Sequence, residues 1–481
     1  MKKYYIKTFG CSMNQADSEK INMIFIQSGF IKVNDWEKAD LVIFNTCSVR
    51  QKGEDRVFGM IEEIYRKNKK QDKKIIVWVT WCMVRKTWVN WKYINKEQER
   101  KTAKKIELLE NKEGIFNNDD KLFPRLWTKL DFVLRIEEIK LLSFILTEIY
   151  GRNIGQDDKF DDYLKQTQLR ENKSSANIII QTGCDNYCTF CIVPYTRWKE
   201  ISRKKEDIVN ECREAVKLWA KEINLIWQNV NSYWKQFLDK KLWNEEKSNW
   251  NMWTWKSPFR DLLEEIDKIQ WLDRIRFTSS NPHDMTSDII DSHFDLKHTC
   301  NYLHFALQSW NNKMLKRMNR KHTYENFRDI VFYLRNRDPL FSISTDIIVW
   351  FSWETDDMFE DTVKAFKECE FDFSYNARYS VRSWTIAEKM YPDNIKDTIK
   401  AERWHTLNNL LLKTIEKRNT IMIWKEENIL VSWEKDNYIF WRTRNFKEVF
   451  IEKDGNTKLW DIIKVKITSL DRWVLRWEII N

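Results

Sequence analysis

Glycine is almost missing from this chain. Its 481 residues include 9 glycines, and none falls between Gly183 and Gly455, where average usage of about 7% would give roughly 34 in all. Such a chain has few residues able to take a positive φ without a steric cost, so its tight turns and helix C-caps lack their usual occupant. Long apolar runs are missing too. No stretch approaches the roughly 20 residues that a membrane span needs, and the start, MKKYYIKTFGC, has a basic tip with no apolar core behind it, so no secretory signal is expected. Histidine is scarce, with 6 in total and the first at His283.

Tryptophan is present in excess. The chain has 26 tryptophans, and with the glycines they number 35, close to the roughly 34 glycines expected. Their positions sharpen the coincidence. Trp219 ends the helical spacing of EDIVNECREAVKL just before strand-like INLI, which is the C′ slot that glycine favours. Trp271 stands at the same kind of joint, between DLLEEIDKIQ and IRFTSS. Four more punctuate the polar loop KLWNEEKSNWNMWTWKS, residues 241–257; four exposed indoles there would invite aggregation, whereas four glycines would make a linker. Most of the tryptophans therefore read as glycine positions, the physical route being a UGA codon decoded as glycine in the source. Trp36, Trp404 and Trp473 occupy contexts that suit a real indole. With glycine restored, residues 250–257 become a phosphate-loop pattern, but no buried strand precedes them, so a chance loop is the better reading.

A length of 481 residues implies two or three domains. Residues 1–145 alternate short apolar strands with amphipathic helices, an open α/β pattern with parallel strands. A polar linker follows at 146–172. Within 173–402, six strand-like runs (ANIIIQT, INLIWQN, IRFTSS, YLHFALQS, ISTDIIVWF and FSYNARYSV) alternate with helices and predict a partial (βα)6 barrel, whose chemistry belongs at the C-terminal strand ends. Residues 403–481 read as a helix and a small antiparallel β-barrel. The formal net charge is +10, from 82 basic and 72 acidic residues. That suits an anionic partner such as nucleic acid, and equally an ordinary solvated surface.

Nine cysteines without an export signal point to metal or redox work rather than disulfides. In TGCDNYCTFC, Cys184, Cys188 and Cys191 form C-x3-C-x2-C directly after the first barrel strand. Three thiolates at this spacing can hold a four-iron cluster and leave one iron open to a reactant. Zinc would want a fourth ligand, and no histidine lies nearby. A second trio is Cys11, Cys47 and Cys82, each ending a strand: IKTFGC, VIFNTC and VWVTWC. Parallel strands end on the same side, so these three can converge; the alternative is three buried free thiols. Cys212, Cys300 and Cys369 receive no role.

With both trios in view, the chain resembles the radical S-adenosylmethionine (SAM) methylthiotransferases, and within them the tRNA-modifying MiaB type. FGCSMNQADSEK and FNTCSVR resemble the family's N-terminal motifs, and CTFCIVPYTRWKEISR its core motif, with Phe190 as the aromatic before the last cysteine. QNVNSY, FTSSNPHD, LQSWNNKMLKRMNR and VWFSWET also match, and WRTRNFKEVF resembles the start of the TRAM domain, an RNA-binding barrel. Trp198, Trp350 and Trp353 stand where the family has glycine, and Ser352 where it has proline. The resemblance implies two [4Fe-4S] clusters, one on Cys184, Cys188 and Cys191 that binds and cleaves SAM, and one on Cys11, Cys47 and Cys82 that holds the sulfur. It implies transfer of a methylthio group to C2 of N6-isopentenyladenosine at position 37, in the anticodon stem-loop of tRNA. Gln228, Asn229 and Gln308 are expected to contact SAM, and Arg442, Arg444 and Lys447 to contact phosphates. An electron donor, a sulfur donor, a cytoplasmic monomer and no membrane complete the expectation. The rival readings are a methylthiotransferase for a ribosomal protein or for threonylcarbamoylated tRNA, and a non-enzymatic RNA-binding protein with structural metal.

Overall fold

The computed structural model describes residues 1–47, 51–71, 74–81, 84, 88–89, 129–151, 163–165, 168–170, 174–197, 199–235, 256–435, 438–452, 458–471 and 473–480. Cys82, Trp198 and the tryptophan-rich stretch 241–255 lie outside them. The chain forms two compact units. One comprises Met1–Arg170 with Ile192–Trp198 and Arg382–Trp384; the other is the remainder.

The first unit is built on a six-stranded sheet. Its strands are β1 (Lys3–Phe9), β2 (Ile31–Lys32), β3 (Leu41–Thr46), β4 (Ile76–Trp81), β5 (Trp88–Val89) and β6 (Phe132–Leu134), in the order β2-β1-β3-β4-β6-β5. All pairings are parallel except β5 with β6. Every residue of β3 is buried, as the continuous apolar run DLVIF requires of a central parallel strand. Helix Leu142–Tyr150, capped by left-handed Gly151, occupies the start of the expected linker.

In the second unit, β7 (Ser175–Ile179), β10 (Glu222–Ile226) and β11 (Arg274–Phe277) pair in parallel, and so do β12 (Tyr302–His304), β13 (Ser342–Val349) and β14 (Phe373–Arg378). Single parallel bridges, Ile275 to Thr299 and Ser280 to Phe305, join the two sets. Each of the six strands is followed by a helix, so the partial (βα)6 barrel is present with all six expected strands. A short antiparallel pair, β8 (Gln181–Thr182) and β9 (Ile201–Ser202), flanks the cysteine loop. The C-terminal strands β15 (Glu426–Lys435), β16 (Tyr438–Arg442), β17 (Glu448–Glu452), β18 (Ile462–Asp471) and β19 (Val474–Ile479) close a small barrel. It is antiparallel but for the β17–β19 seam, which is parallel.

Backbone geometry bears directly on the tryptophans. Among the described residues, 14 non-glycine positions have positive φ, and eight of them are tryptophan: Trp219, Trp234, Trp271, Trp350, Trp353, Trp384, Trp424 and Trp460. Tryptophan is about one residue in eighteen of the chain, and a bulky residue at positive φ is an outlier. Trp219 follows helix Lys205–Lys217 at φ 77, with the Trp219 N–H bonded to the Val216 carbonyl and the Ala220 N–H to the Ala215 carbonyl. That is a Schellman turn with an indole at the glycine slot. Trp36 and Trp404 behave differently. Both sit in helical backbone, and Trp404 Nε1 donates to the Asn376 carbonyl at 2.7 Å.

A buried ion cluster ties the small barrel to the six-stranded one. Asp372, at the start of β14, accepts from Lys447 Nζ at 2.6 Å, Arg418 Nε at 3.2 Å, Arg335 Nη2 at 3.1 Å and the Ile343 N–H at 2.9 Å. Burial alone would raise its pKa, but the Lys447, Arg418 and Arg335 charges outweigh it and hold the carboxyl well below the usual range. Arg274 and Arg276 of β11 add donors to the barrel carbonyls of Asn428, Arg442, Thr443 and Arg444. Asp372→Asn strands three buried cations and is expected to cost about 3–5 kcal/mol, read as a lower midpoint in urea unfolding. The sign with pH follows from the depressed folded pKa. Asp372's contribution is complete above about pH 4 and drains as pH falls below it, so this part of the acid sensitivity should vanish in the variant. An unchanged midpoint would show that the cluster does not hold the barrel.

Candidate active site

The cysteine loop begins where β8 ends. Gly183 takes φ 74, and the chain then presents Cys184, Cys188 and Cys191. Cys184 is buried, and burial followed by the charge of Cys191 pushes its thiol well above the ordinary value, with Cys188 adding to the same effect. The three thiols thus lie within electrostatic reach of one another. A bound metal cation would favour the Cys184 thiolate that burial disfavours. Among the described residues no group of three His, Cys, Asp or Glu side chains is placed to hold a metal ion; a four-iron cube takes each thiolate on a separate iron. Phe190 is half-buried and packs edge-on against Phe351, with ring centroids 6.3 Å apart, so its ring supports the loop from the apolar side.

Around this loop the strand ends form a polar network. Gln181 Nε2 donates to the Asn229 carbonyl at 2.8 Å and to Ser232 Oγ at 3.1 Å. Ser232 Oγ donates to Glu200 Oε1 at 2.9 Å, Asn229 Nδ2 to Asp284 Oδ2 at 2.6 Å, and Lys235 Nζ to Asp284 Oδ1 at 3.1 Å. Asn231 and Asn281 exchange side-chain and backbone bonds at 2.9 Å. The motifs QNVNSY and FTSSNPHD are therefore two halves of one network. Burial, and next the charge of Asp284, push Glu200 up to about 8, so it is a neutral carboxyl at pH 7.

Several buried polar atoms at these strand ends have no protein partner: Thr182 Oγ1 after β7, Asn229 Oδ1 after β10, Ser280 Oγ after β11 and Ser309 Oγ after β12. Buried polar groups are rarely left unpaired, and four of them at the carboxyl ends of four successive barrel strands fit a polar ligand such as SAM. Asn229 is thus buried with one unpaired acceptor, as a ligand contact requires. Gln228 is half-buried on the same turn, and Gln308 takes φ 77 and bridges to β13 through its backbone. Sequence reasoning missed Glu200, Thr182, Ser280 and Ser309. Thr182, Ser280 and Ser309 share a position three to five residues beyond a barrel strand, which only the strand boundaries reveal; Glu200 instead directly precedes β9.

In the first unit, Cys11 is the N-cap of helix Ser12–Gln27 and Cys47 directly follows β3. β1 and β3 are parallel neighbours in the register Phe9 to Thr46, so both cysteines leave the same sheet edge. Cys11 is exposed and Cys47 half-buried; Cys82 lies outside the described residues, although β4, which ends at Trp81, pairs with β3. A buried amide network fixes this edge. Asn14 Nδ2 donates to Asn45 Oδ1 at 2.7 Å and to the Thr46 carbonyl at 3.0 Å, and Asn14 Oδ1 accepts from the Cys11 N–H at 3.2 Å. A Cβ at Gly10 would collide with Asn14, so here a glycine is required by close approach. The edge thus offers reachable thiols on a rigid support, as a second cluster needs.

One of the three expected phosphate contacts is corrected. Lys447 is buried on Asp372. Arg444 donates to the carbonyls of Asp273, Lys297 and Thr299 at 3.0–3.1 Å. Three of the five Arg444 N–H donors thus help to seat the small barrel. Arg442 makes no such side-chain bonds to carbonyls among the described residues. It is partly exposed, pairs with Glu448 at 3.0 Å and stacks on Phe446.

Residues 3–102 match the family model described as Uncharacterized protein family UPF0004, and residues 178–366 match that of the Radical SAM superfamily. A tRNA-2-methylthio-N(6)-dimethylallyladenosine synthase of Protochlamydia amoebophila is 34% identical over 96% of this chain and 89% of its own length. The chain belongs to this family. Another synthase of that name, from Caldicellulosiruptor saccharolyticus, is 34% identical over 100% of this chain and 93% of its own. Among solved structures, the radical S-adenosylmethionine methyltransferase TsrM of Kitasatospora setae, with cobalamin and a [4Fe-4S] cluster, aligns at a TM-score of 0.49 and 11% identity, over 78% of this chain and 75% of that one. No helix among the described residues of this synthase-family chain is long and apolar enough to cross a membrane.

Proposed function

We propose that the protein inserts a methylthio group at C2 of N6-isopentenyladenosine at position 37 of tRNA. The observation that carries this reading is the full-length relationship to synthases named for that product, joined to three cysteines after the first barrel strand of a radical SAM fold. Cys184, Cys188 and Cys191 would hold one [4Fe-4S] cluster, and Cys11, Cys47 and Cys82 the other. When bound, these clusters and SAM supply the electron, the radical and the sulfur. The protein's own residues position and enclose. Asn229, Thr182, Ser280 and Ser309 offer unpaired polar atoms to SAM, Gln228 and Gln308 flank them, and Phe190 walls the cysteine loop. Glu200, neutral at pH 7, can donate a hydrogen bond without adding a buried charge. A base in a single-stranded anticodon loop can be splayed into such a barrel at modest cost, and Arg442 is the phosphate contact, worth about one unit of salt slope. The protein works as a cytoplasmic monomer fed by a separate electron donor and sulfur donor.

The test is nucleoside analysis of tRNA from a host lacking its own enzyme, complemented with this gene recoded to glycine at its UGA codons. The 2-methylthio form of isopentenyladenosine is expected to return. If it appears instead on threonylcarbamoyladenosine, or on no nucleoside, the proposed substrate is wrong.

A further inference from the structure

We propose that the turn Arg317–Arg320 clamps the cysteine loop and that the Arg320 guanidinium, hydrogen-bonded to the Cys188 sulfur, sets the reduction potential of the cluster held there. This rests on reading Cys184, Cys188 and Cys191 as cluster ligands. Beyond Gln308 and Ser309, the motif LQSWNNKMLKRMNR, which contains the turn, is otherwise without a task. Its helix, Asn312–Arg317, starts on an Asn311 side chain that accepts from the Lys313 and Met314 N–H groups. It ends in a Schellman turn: the Asn319 N–H bonds to the Lys316 carbonyl and the Arg320 N–H to the Leu315 carbonyl, with Asn319 left-handed at φ 55. Both ends are therefore fixed, and so is the direction in which residues 319 and 320 leave.

They leave toward the cysteine loop. Asn319 Nδ2 donates to the carbonyls of Asn186 at 3.2 Å and Tyr187 at 3.0 Å. The Thr189 N–H donates to the Met318 carbonyl at 3.1 Å, and Thr189 Oγ1 to the Arg317 carbonyl at 3.0 Å. These four bonds grip the loop on both sides of Cys188 and brace Tyr187, itself left-handed at φ 47. Arg320 makes the fifth contact, Nη1 to Cys188 Sγ at 3.4 Å, while Nη2 is anchored on the Ala306 carbonyl at 2.6 Å. A cationic donor on a ligand sulfur stabilises the reduced, more negative cluster over the oxidised one and so raises its potential. Arg320 is a positioning residue in this account: it acts through Cys188.

The experiment is an EPR-monitored redox titration of the reconstituted full chain in a Cys11→Ala/Cys47→Ala/Cys82→Ala background, where a single cluster gives the signal. The external reductant supplies the one electron. Arg320→Gln is expected to lower the reduced-to-oxidised ratio at fixed potential about tenfold, equal to about 59 mV for a one-electron couple. Arg320→Lys, which keeps charge but loses the fork, is expected to fall between. Asn319→Ala, which loosens the loop without touching sulfur, is expected to keep the parent potential. A parent potential in Arg320→Gln, or in Arg320→Lys should the first variant hold no iron, overturns the proposal. So does an equal drop in Asn319→Ala. A parent background that binds no iron defeats the reading of the cysteines instead.

Discussion

With glycine in place of Trp219, Trp234, Trp271, Trp350, Trp353, Trp384, Trp424 and Trp460, the chain is expected to be far more stable than with the indoles. Each of these residues holds a positive φ between 60 and 80, where a Cβ costs about 1–2 kcal/mol. Eight together reach on the order of 10 kcal/mol, which is comparable to the whole stability of a typical domain. Trp350 shows the crowding directly. Its ring centroid lies 3.1 Å from the Arg403 guanidinium carbon at the carboxyl end of β13, while its backbone N–H donates to the Glu354 carboxyl at 2.8 Å. Glycine keeps the backbone bond and removes the collision. Two measurements check this. Urea unfolding of the glycine and tryptophan versions should differ by several molar in midpoint or leave the tryptophan version unfolded, and the protein from its own host should have an intact mass short by the Trp-to-Gly difference at most of the 26 sites. A native mass that fits 26 tryptophans ends the idea.

The same eight residues show what was legible in advance. Trp219 and Trp271 were readable as C-cap positions because the helix-to-strand switch falls on them, and periodicity locates such switches. Trp234, Trp384, Trp424 and Trp460 sit in irregular turns without that signal, so composition implied them while position did not. The six barrel strands were legible because each combines β-branched runs with a following amphipathic helix. What the sequence could not supply was pairing. Lys447 and Asp372 are 75 residues apart, and Arg444 spends three of its donors on carbonyls at 273, 297 and 299. Charge is visible in a sequence, but whether it faces solvent or a buried carboxylate is a tertiary fact. The strand-end cysteines succeeded for the opposite reason. Their convergence follows from parallel order, which the α/β pattern already implies.

The second large effect is a split between the two cysteine trios. Cys188→Ala in the glycine-recoded protein is expected to abolish SAM cleavage and, with it, all modified nucleoside. It removes one of the three thiolates of the cysteine loop, and the group bonded to its sulfur, Arg320 Nη1, can only donate and so cannot replace it as a ligand. Cys47→Ala should leave SAM cleavage within about twofold of the parent but still give no methylthio product, because the barrel's strand ends and their polar network are untouched by a change at the edge of the other sheet. Iron should fall from about eight per chain to about four in either variant, two four-iron cubes becoming one. Anaerobic reconstitution with iron analysis, deoxyadenosine release and tRNA nucleoside analysis read all three quantities on the same sample. Partial product from Cys47→Ala would mean that the sulfur is not held at the β1–β3 edge, and retained SAM cleavage in Cys188→Ala would remove the chemistry from the barrel altogether. Misfolding is distinguished in both variants: retained SAM cleavage reports on the fold of Cys47→Ala, and the about four irons left on the other trio report on that of Cys188→Ala. Cys47 follows a strand buried along its whole length, and its loss leaves that strand's packing intact.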